Sequence, residues 1–421
     1  MNTKFYTILI LTLPLVSFGQ FTFHDIDESN NGNYVTEVVT TESGIAVATR
    51  GDNILCEYDG STWTKYDYTT YGFTGNTAIS KVSDLKEFFG SYWIAYRSTI
   101  DVLNSDGTIT TLTSSSSELQ ADNVAALAFN NDFTSFFAYQ NSSGISTLRL
   151  GDWTHDNNHQ DGMAPLNDVF RATLIEYDAV NDIVWIYDGG DIYEVKDGTA
   201  TKHSVATGIP VSLGSDDVTG MAVTDDGKVW FSINDNSFEN GGLLVYDGAT
   251  WQHISSANSD LPDEDIRAIA AHGNNLVIGG ATNKKISYYN GTTWTTYTDA
   301  NSNYPDFGPQ FFYDMTVWED RVFVGSSNGV IELDLNTITS TKENSSNYNM
   351  LISPNPVAKT ITIEAAHLIQ RIDIWNSYGQ LVLTVPGDQN QIDLDTLDSG
   401  HYYLQALLHN GRVLQEQIVK L

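Results

Sequence analysis

The 421-residue chain has a single cysteine, Cys56. An intramolecular disulfide is therefore excluded, and no Cys-His signature marks the thiol as a nucleophile. It sits in "ILCEY", which alternates like a strand and predicts a packed thiol. Basic residues are scarce, with 20 Lys and Arg against 53 Asp and Glu. Residues 20–345 alone carry 15 basic and 46 acidic side chains. Such a surface repels phosphate backbones and anionic lipid, which excludes nucleic acid as a partner. It suits a protein kept soluble in a salty or extracellular medium. No apolar run is long enough to span a bilayer, so an integral membrane segment is not expected. Charged residues make up only 17% of the chain, while Asn, Ser, Thr and Gly are plentiful. That mix favours strands and turns over helices. The chain is long enough for one large repeat domain and a small second one.

The first 19 residues read as a signal peptide. Lys4 supplies the positive start, "FYTILILTLPLV" the short apolar stretch, and Ser17 and Gly19 the small residues before a cut ahead of Gln20. No cysteine comes after the cut, so a lipoprotein start is not indicated.

Most of the chain beyond Gln20 is one unit written repeatedly. An apolar alternation leads into a turn and a second apolar strand, seven times. Taking Val35, Ile79, Val124, Phe170, Val218, Ile266 and Phe312 as equivalent anchors, the spacings are 44, 45, 46, 48, 48 and 46 residues. That period holds about four short strands, the length of one propeller blade. In the sixth unit, "DIRAIAA" is expected innermost, then "NLVIGG", "KISYYN" and "WTTYT" outermost. Asp247-Gly248 makes the corner before Trp251, with Asp59-Gly60 before Trp63 and Asn290-Gly291 before Trp294. The Asp or Asn bonds its own backbone and Gly supplies positive φ. The Trp fills a wide apolar slot between blades. "FTFHDI" from Phe21 is expected to complete the last blade beside "GVIELDL". The competing expectation puts "TITSTKE" in that place.

The unit resembles the propeller repeats of two-component-regulator sensor domains. The resemblance rests on "KVWFSINDNSFENGGLLVYDGATW" and on Leu261-Pro262 before the next unit. It implies a β-propeller over roughly residues 21 to 343. It does not imply signalling, since no kinase or DNA-binding segment accompanies it.

Beyond the polar stretch "TKENSSNYN" the pattern changes to short strands at close spacing. Turns fall at Ser353-Pro354-Asn355-Pro356, Tyr378-Gly379 and Asp398-Ser399-Gly400. This reads as a small β-sandwich of about seven strands. The prolines set an extended entry, because they cannot sit inside a central strand. The module resembles the type A C-terminal sorting domain of proteins exported by the type IX secretion system. Pro354, Asn355, Pro356, "IDIWNSYGQLV" with Gly379, "IDLDTLDSGHYYL" with Gly400 and Tyr402, and the final "IVKL" carry the resemblance. It implies export to the periplasm, then transfer across the outer membrane of a Gram-negative bacterium by the type IX machinery. The protein would end secreted or at the outer-membrane surface.

The expected architecture is all-β: residues 1–19 a signal peptide, 20–343 a seven-bladed β-propeller, 344–349 a linker, and 350–421 a small Ig-like sandwich. A monomer is expected. No catalytic constellation emerges. "DIDESNNG" from Asp25 resembles a calcium loop, but its glycine is misplaced and the closing Glu is absent. Calcium at acidic loops is the one weak cofactor possibility, and no other cofactor or metal is expected. His155 and His159 have i, i+4 spacing, but their neighbours argue for a loop rather than a metal-binding helix. Adjacent Asp-Gly pairs do not fit the sialidase Asp-box, and no carboxylate pair stands out for glycoside hydrolysis. Ligand-binding candidates lie on the loops after the second strands: Arg50, Tyr96, Arg97, Tyr139, Tyr187 and Asp188, with Asn234-Asp235-Asn236 on the equivalent loop of the fifth unit. The reading is a non-catalytic surface propeller that binds an extracellular glycan, peptide or surface partner. The alternative is an extracellular polysaccharide-degrading enzyme with acids at the channel mouth.

Overall fold

The computed structural model describes residues 20–26, 33–51, 53–74, 82–96, 98–131, 134–139, 144–149, 152–156, 166, 169, 172–214, 217–234, 240–281, 285–297, 311–337, 350–364, 369–376, 381–387, 389–408 and 413–421. Seven four-stranded antiparallel sheets form among them before residue 338. Their innermost strands are Val35–Thr41, Val82–Phe88, Val124–Phe129, Leu174–Asp178, Val218–Val223, Ile266–His272 and Phe312–Trp318. Each innermost strand contacts the next, and the seventh contacts the first, so the ring of sheets closes around an axis. The anchors expected at Ile79 and Phe170 lie outside the described residues, and the second and fourth innermost strands start at Val82 and Leu174.

The first strand, Gln20–His24, is the outermost strand of the last sheet. It pairs antiparallel with Gly329–Asp334, from Gln20 opposite Asp334 to His24 opposite Val330. The two ends of the repeat region are thus hydrogen-bonded together, which removes an open edge.

The repeated corner behaves as its residues dictate. The Asp59 carboxylate accepts from the backbone N–H of Ser61 at 2.8 Å and of Thr62 at 2.7 Å. Asp247 and Asn290 make the same pair of bonds. Gly60, Gly248 and Gly291 all take φ near +90°, a region a side chain disfavours. The Trp after the turn stacks on the Tyr before it, with ring centroids 4.9 Å apart for Tyr58–Trp63, 4.6 Å for Tyr246–Trp251 and 4.8 Å for Tyr289–Trp294.

Two of these Trp residues then meet the outermost strand of the preceding sheet. Trp63 Nε1 donates to His24 Nδ1, and His24 Nε2 bonds Glu332 at 2.7 Å. Trp251 Nε1 donates to His203 Nδ1, and His203 Nε2 lies 3.2 Å from Glu194. Nδ1 accepts in both, so the imidazole hydrogen belongs on Nε2, facing the carboxylate. Strand pairing places Ile254 where His24 and His203 stand. Trp294 therefore has no imidazole partner there, and a shallow cleft opens among Trp230, Ile254, Tyr289 and Trp294.

Close packing along the axis needs small residues. A methyl group on Gly325 would come within 2.8 Å of the Val35 side chain, and one on Gly279 within 2.9 Å of Phe312. Both glycines sit where the next sheet's innermost strand begins. Cys56 is fully buried on its strand, as its alternation predicts.

The C-terminal module has two sheets. One holds Leu351–Ser353, Thr360–Glu364 and Gln391–Asp393; the other holds Leu381–Pro386, Ile369–Asn376, Gly400–Leu408 and Val413–Lys420. Ile361, Ile363 and Ile392 of the first share a core with Ile372, Ile374, Leu404 and Ile418 of the second. Asn355 Oδ1 accepts from the Val419 N–H at 2.9 Å, tying the module's start to its last strand. Pro354 and Pro356 beside it are exposed. The Tyr402 hydroxyl donates to the Asp398 carbonyl at 2.9 Å across the Gly400 turn. Gly379 lies outside the described residues.

Candidate functional site at the channel mouth

Six of the seven innermost strands carry a β-bulge just after their first residue. The extra residue is left out of the ladder and its side chain is re-aimed. These residues are Thr36, Ser83, Ala125, Thr219, Arg267 and Tyr313. Ser83 and Thr219 donate to the carbonyls of Val124 and Ile266 on the neighbouring sheets, both at 2.8 Å. Thr36 makes no such bond, and its hydroxyl is buried without a partner. At the same end of the ring, Thr173 Oγ1, Asn234 Oδ1, Asp265 Oδ1 and Arg267 Nε are also buried and unpaired. Buried polar atoms are ordinarily satisfied, so these five, together with the Tyr96 hydroxyl opposite Val82, require an explanation.

Aromatic and cationic groups gather beside them. Tyr34 precedes the first innermost strand, and its hydroxyl bonds that of Tyr313 on the seventh. Their ring centroids are 4.8 Å apart. The exposed Arg50 guanidinium covers the Tyr34 ring at 3.9 Å from its centroid. Burial and the Tyr34 hydroxyl push the Tyr313 phenol up, while the Arg50 and Arg267 charges pull it down. Burial likewise raises Asp265, against the opposing pull of Arg267.

One step further along the same strands lies an ion cluster. Lys86 Nζ is 2.7 Å from Glu176 and 3.5 Å from Asp84. Asp84 also accepts from the Leu127 N–H at 2.6 Å, and Asp314 accepts from the Val38 N–H at 2.8 Å. Each of these carboxylates therefore caps an edge N–H of the next innermost strand, which has no partner within its own sheet. Burial raises Asp314 to about 6, against the bond from Val38 and the charge of Lys86. Burial raises Asp84 too, with Lys86 opposing and Glu176 adding to the rise. Burial alone would lower Lys86, but the surrounding acids raise it.

The sequence-derived candidates divide. Arg50 is exposed and lies over Tyr34, at the end of the ring where the innermost strands begin. Tyr96, Tyr139 and Tyr187 are fully buried between sheets instead of facing a ligand. Tyr139 donates to Ser146 and receives the Gln120 N–H, and Tyr187 donates to the Gly214 carbonyl. The Tyr139 and Tyr187 hydroxyls thus tie their rings to neighbouring loops, whereas the Tyr96 hydroxyl is buried without a partner. Asp188 ends the second strand of the fourth sheet and is partly exposed. Arg97, Asp235 and Asn236 lie outside the described residues. Tyr34, Thr36, Arg267 and Tyr313 were not singled out from the sequence. Aligning the residue after each anchor across repeats would have found three of them.

The remaining expected sites are placed only in part. His155 is on the strand Asp152–Asp156, its Nδ1 2.8 Å from Ser146 Oγ, and His159 lies outside the described residues. Most of the acidic loop after Asp25 also lies outside them; Asp25 itself accepts from Asn33 at 2.6 Å. Among the described residues no three His, Cys, Asp or Glu are grouped to hold a metal ion. No helix among them is long and apolar enough to cross a membrane.

The ring of four-stranded sheets defines a β-propeller fold, followed by a β-sandwich. Residues 351–420 match the secretion system C-terminal sorting domain. The module is a type IX sorting domain, and it directs export to the cell surface or the extracellular space. No curated protein matches the chain in sequence. Among solved structures, the chain is similar to the extracellular domain of a putative hybrid two-component system from B. thetaiotaomicron, at 17% identity and a TM-score of 0.56, covering 95% of this chain and 57% of that one. It is similar to virginiamycin B lyase from Staphylococcus aureus, solved with quinupristin, at 14% identity and a TM-score of 0.57, covering 75% of this chain and 100% of that one. It is also similar to YCF48 bound to the D1 peptide, at 12% identity and a TM-score of 0.52, covering 75% of this chain and 96% of that one. At these identities the likeness is one of fold.

Proposed function

We propose that this protein is an exported propeller that binds an extracellular glycan, peptide or surface partner at the channel mouth without transforming it. Residues 1–19 act as a signal peptide, 20–343 form a seven-bladed binding domain, 344–349 link it, and 350–421 engage the type IX machinery. The protein acts as a monomer. One observation carries the reading: Thr36, Thr173, Asn234, Asp265 and Arg267 each hold a buried, unpaired polar atom at one end of the ring. These atoms lie just beneath the surface, so a ligand satisfies them by seating on this end of the ring and shifting the groups that cover them, and placed polar groups are how binding sites achieve specificity. The acids deeper in the channel are paired with Lys86 or with backbone N–H groups. That supports a framework role for them rather than proton transfer.

The test is an array of polysaccharides and peptides probed with the purified full chain, every hit being assayed for cleavage. Binding without cleavage, weakened by Arg50→Ala, is the expected result. Cleavage that disappears in Glu176→Gln would replace this reading with the enzymatic one.

A further inference from the structure

We infer that the channel mouth takes a carboxylated sugar, with Arg50 and Arg267 receiving the carboxylate. The inference rests on the mouth-binding reading and names its ligand class. Charge supports it first. Arg321, Lys86, Lys202, Lys228, Lys359 and Arg371 all sit within 4 Å of a carboxylate, as a chain with 53 acids and 20 bases makes easy. Arg50 and Arg267 make no ion pair among the described residues. Arg50 lies over the Tyr34 ring instead, and Arg267 keeps a buried Nε without a partner. Asp265 acts on Arg267 only from beyond ion-pair distance. Two guanidinium groups held off from an abundant supply of protein carboxylates are poised for an outside one, which each can grip through two parallel N–H bonds.

The balance of donors and acceptors points the same way. Asn234 Oδ1 and Asp265 Oδ1 are acceptors awaiting a donor, while Thr36 and Thr173 offer hydroxyls that both donate and accept. The Tyr34–Tyr313 hydroxyl pair uses one of its two hydrogens internally and has one left to donate. Sugar hydroxyls donate and accept from the same atom and can serve this mixed set. A peptide presents N–H and C=O groups that are each fixed in one role. Depth matters too. Asp84, Glu176 and Asp314 surround a single Lys86 just below the mouth. Their excess negative charge repels a carboxylate from the channel interior and confines it to the arginines.

The experiment is calorimetric titration of the full chain with oligogalacturonate, alginate oligomers and sialyllactose. Each is paired with its methyl-esterified or neutral counterpart, and a C-terminal peptide serves as a competing class. Arg50→Ala is compared with Arg371→Ala, which removes a charge from the sorting module. Arg50 is exposed, so its loss leaves folding intact; circular dichroism checks this. We expect an acidic oligomer to bind, esterification to weaken it at least tenfold, Arg50→Ala to do the same, and Arg371→Ala to change nothing. Equal affinity for acid and ester, with binding still lost on blocking the mouth by Thr36→Trp, would overturn the carboxylate inference and leave the mouth reading standing. Peptide binding that is sensitive to Arg50→Ala, without any acidic sugar bound, would do likewise. Binding that neither Arg50→Ala nor Thr36→Trp affects, or no binding at all, would overturn both.

Discussion

Trp63 and His24 stand 39 positions apart and on opposite sides of the ring's seam. The indole Nε1 lies 3.3 Å from the imidazole Nδ1. His24 is on the first described strand and Trp63 on the first sheet, while Glu332, which bonds the same imidazole, is on the last. One histidine thus joins both partners at the point where the ring closes. His203, between Trp251 and Glu194, repeats the arrangement at the junction of the fourth and fifth sheets.

His24→Ala should therefore lower stability by about 1–3 kcal/mol, the cost of leaving Trp63 and Glu332 without their partner in a partly buried site. His203→Ala should cost a similar amount. The two sites share no residue, so the double variant should show the sum. Urea unfolding followed by tryptophan fluorescence measures all three. A double variant no worse than either single one would show that the two locks do not act independently.

Gly325→Ala should destabilise the seam by about 1–3 kcal/mol, since the added methyl lands 2.8 Å from Val35 in a close-packed contact. Pairing it with Val35→Ala should recover part of that loss by making room. Chemical denaturation of the two single variants and the double variant tests the coupling. No recovery would place the strain elsewhere.

Asp314 titrates near 6 because it is buried, well above an ordinary carboxyl. A carboxyl whose folded pKa is raised holds its proton in the native state while the unfolded chain has already released it. Stability then falls as pH rises from about 4 to about 6. Asp314→Asn should remove that contribution, as its amide oxygen can still accept the Val38 N–H. Melting temperatures of parent and variant between pH 4 and 7 should diverge in that direction. Parallel curves would mean that Asp314 ionises normally.

Asn355→Ala should free the last strand of the sorting module. Its Oδ1 accepts from Val419, and that bond is one of the few ties between the module's start and its C-terminal strand. Hydrogen exchange at the Val419 amide should accelerate at least tenfold while the Ile372 amide in the central strand keeps its protection. Unchanged exchange at Val419 would show the strand is held without Asn355.

Local features were legible because short-range physics decides them. Asp59-Gly60, Asp247-Gly248 and Asn290-Gly291 announce their corners, since an Asx side chain bonds the backbone two and three residues on and only Gly accepts that φ without strain. The repeat period announced the sheets, but "FTFHDI" and "TITSTKE" competed for the edge of the last one, and the pairing of Gln20–His24 with Gly329–Asp334 decided between them. The mouth was harder to read. Tyr96, Tyr139 and Tyr187 look like loop-end aromatics in sequence, but the twist of the second strand turns their rings between sheets. Tyr34 and Tyr313 are separated by 279 positions, and their hydroxyls meet only because the ring closes. A bulge, which re-aims Arg267 and Tyr313, leaves no local mark beyond a break in alternation. The repeat, its turns and the pairing of strands inside each of the first six sheets follow from residues within some fifty positions of one another, where short-range physics acts. Which polar groups share the mouth, and which stay unpaired there, emerges only once the sheets close into a ring, because that depends on residues far apart in the chain meeting at a common axis.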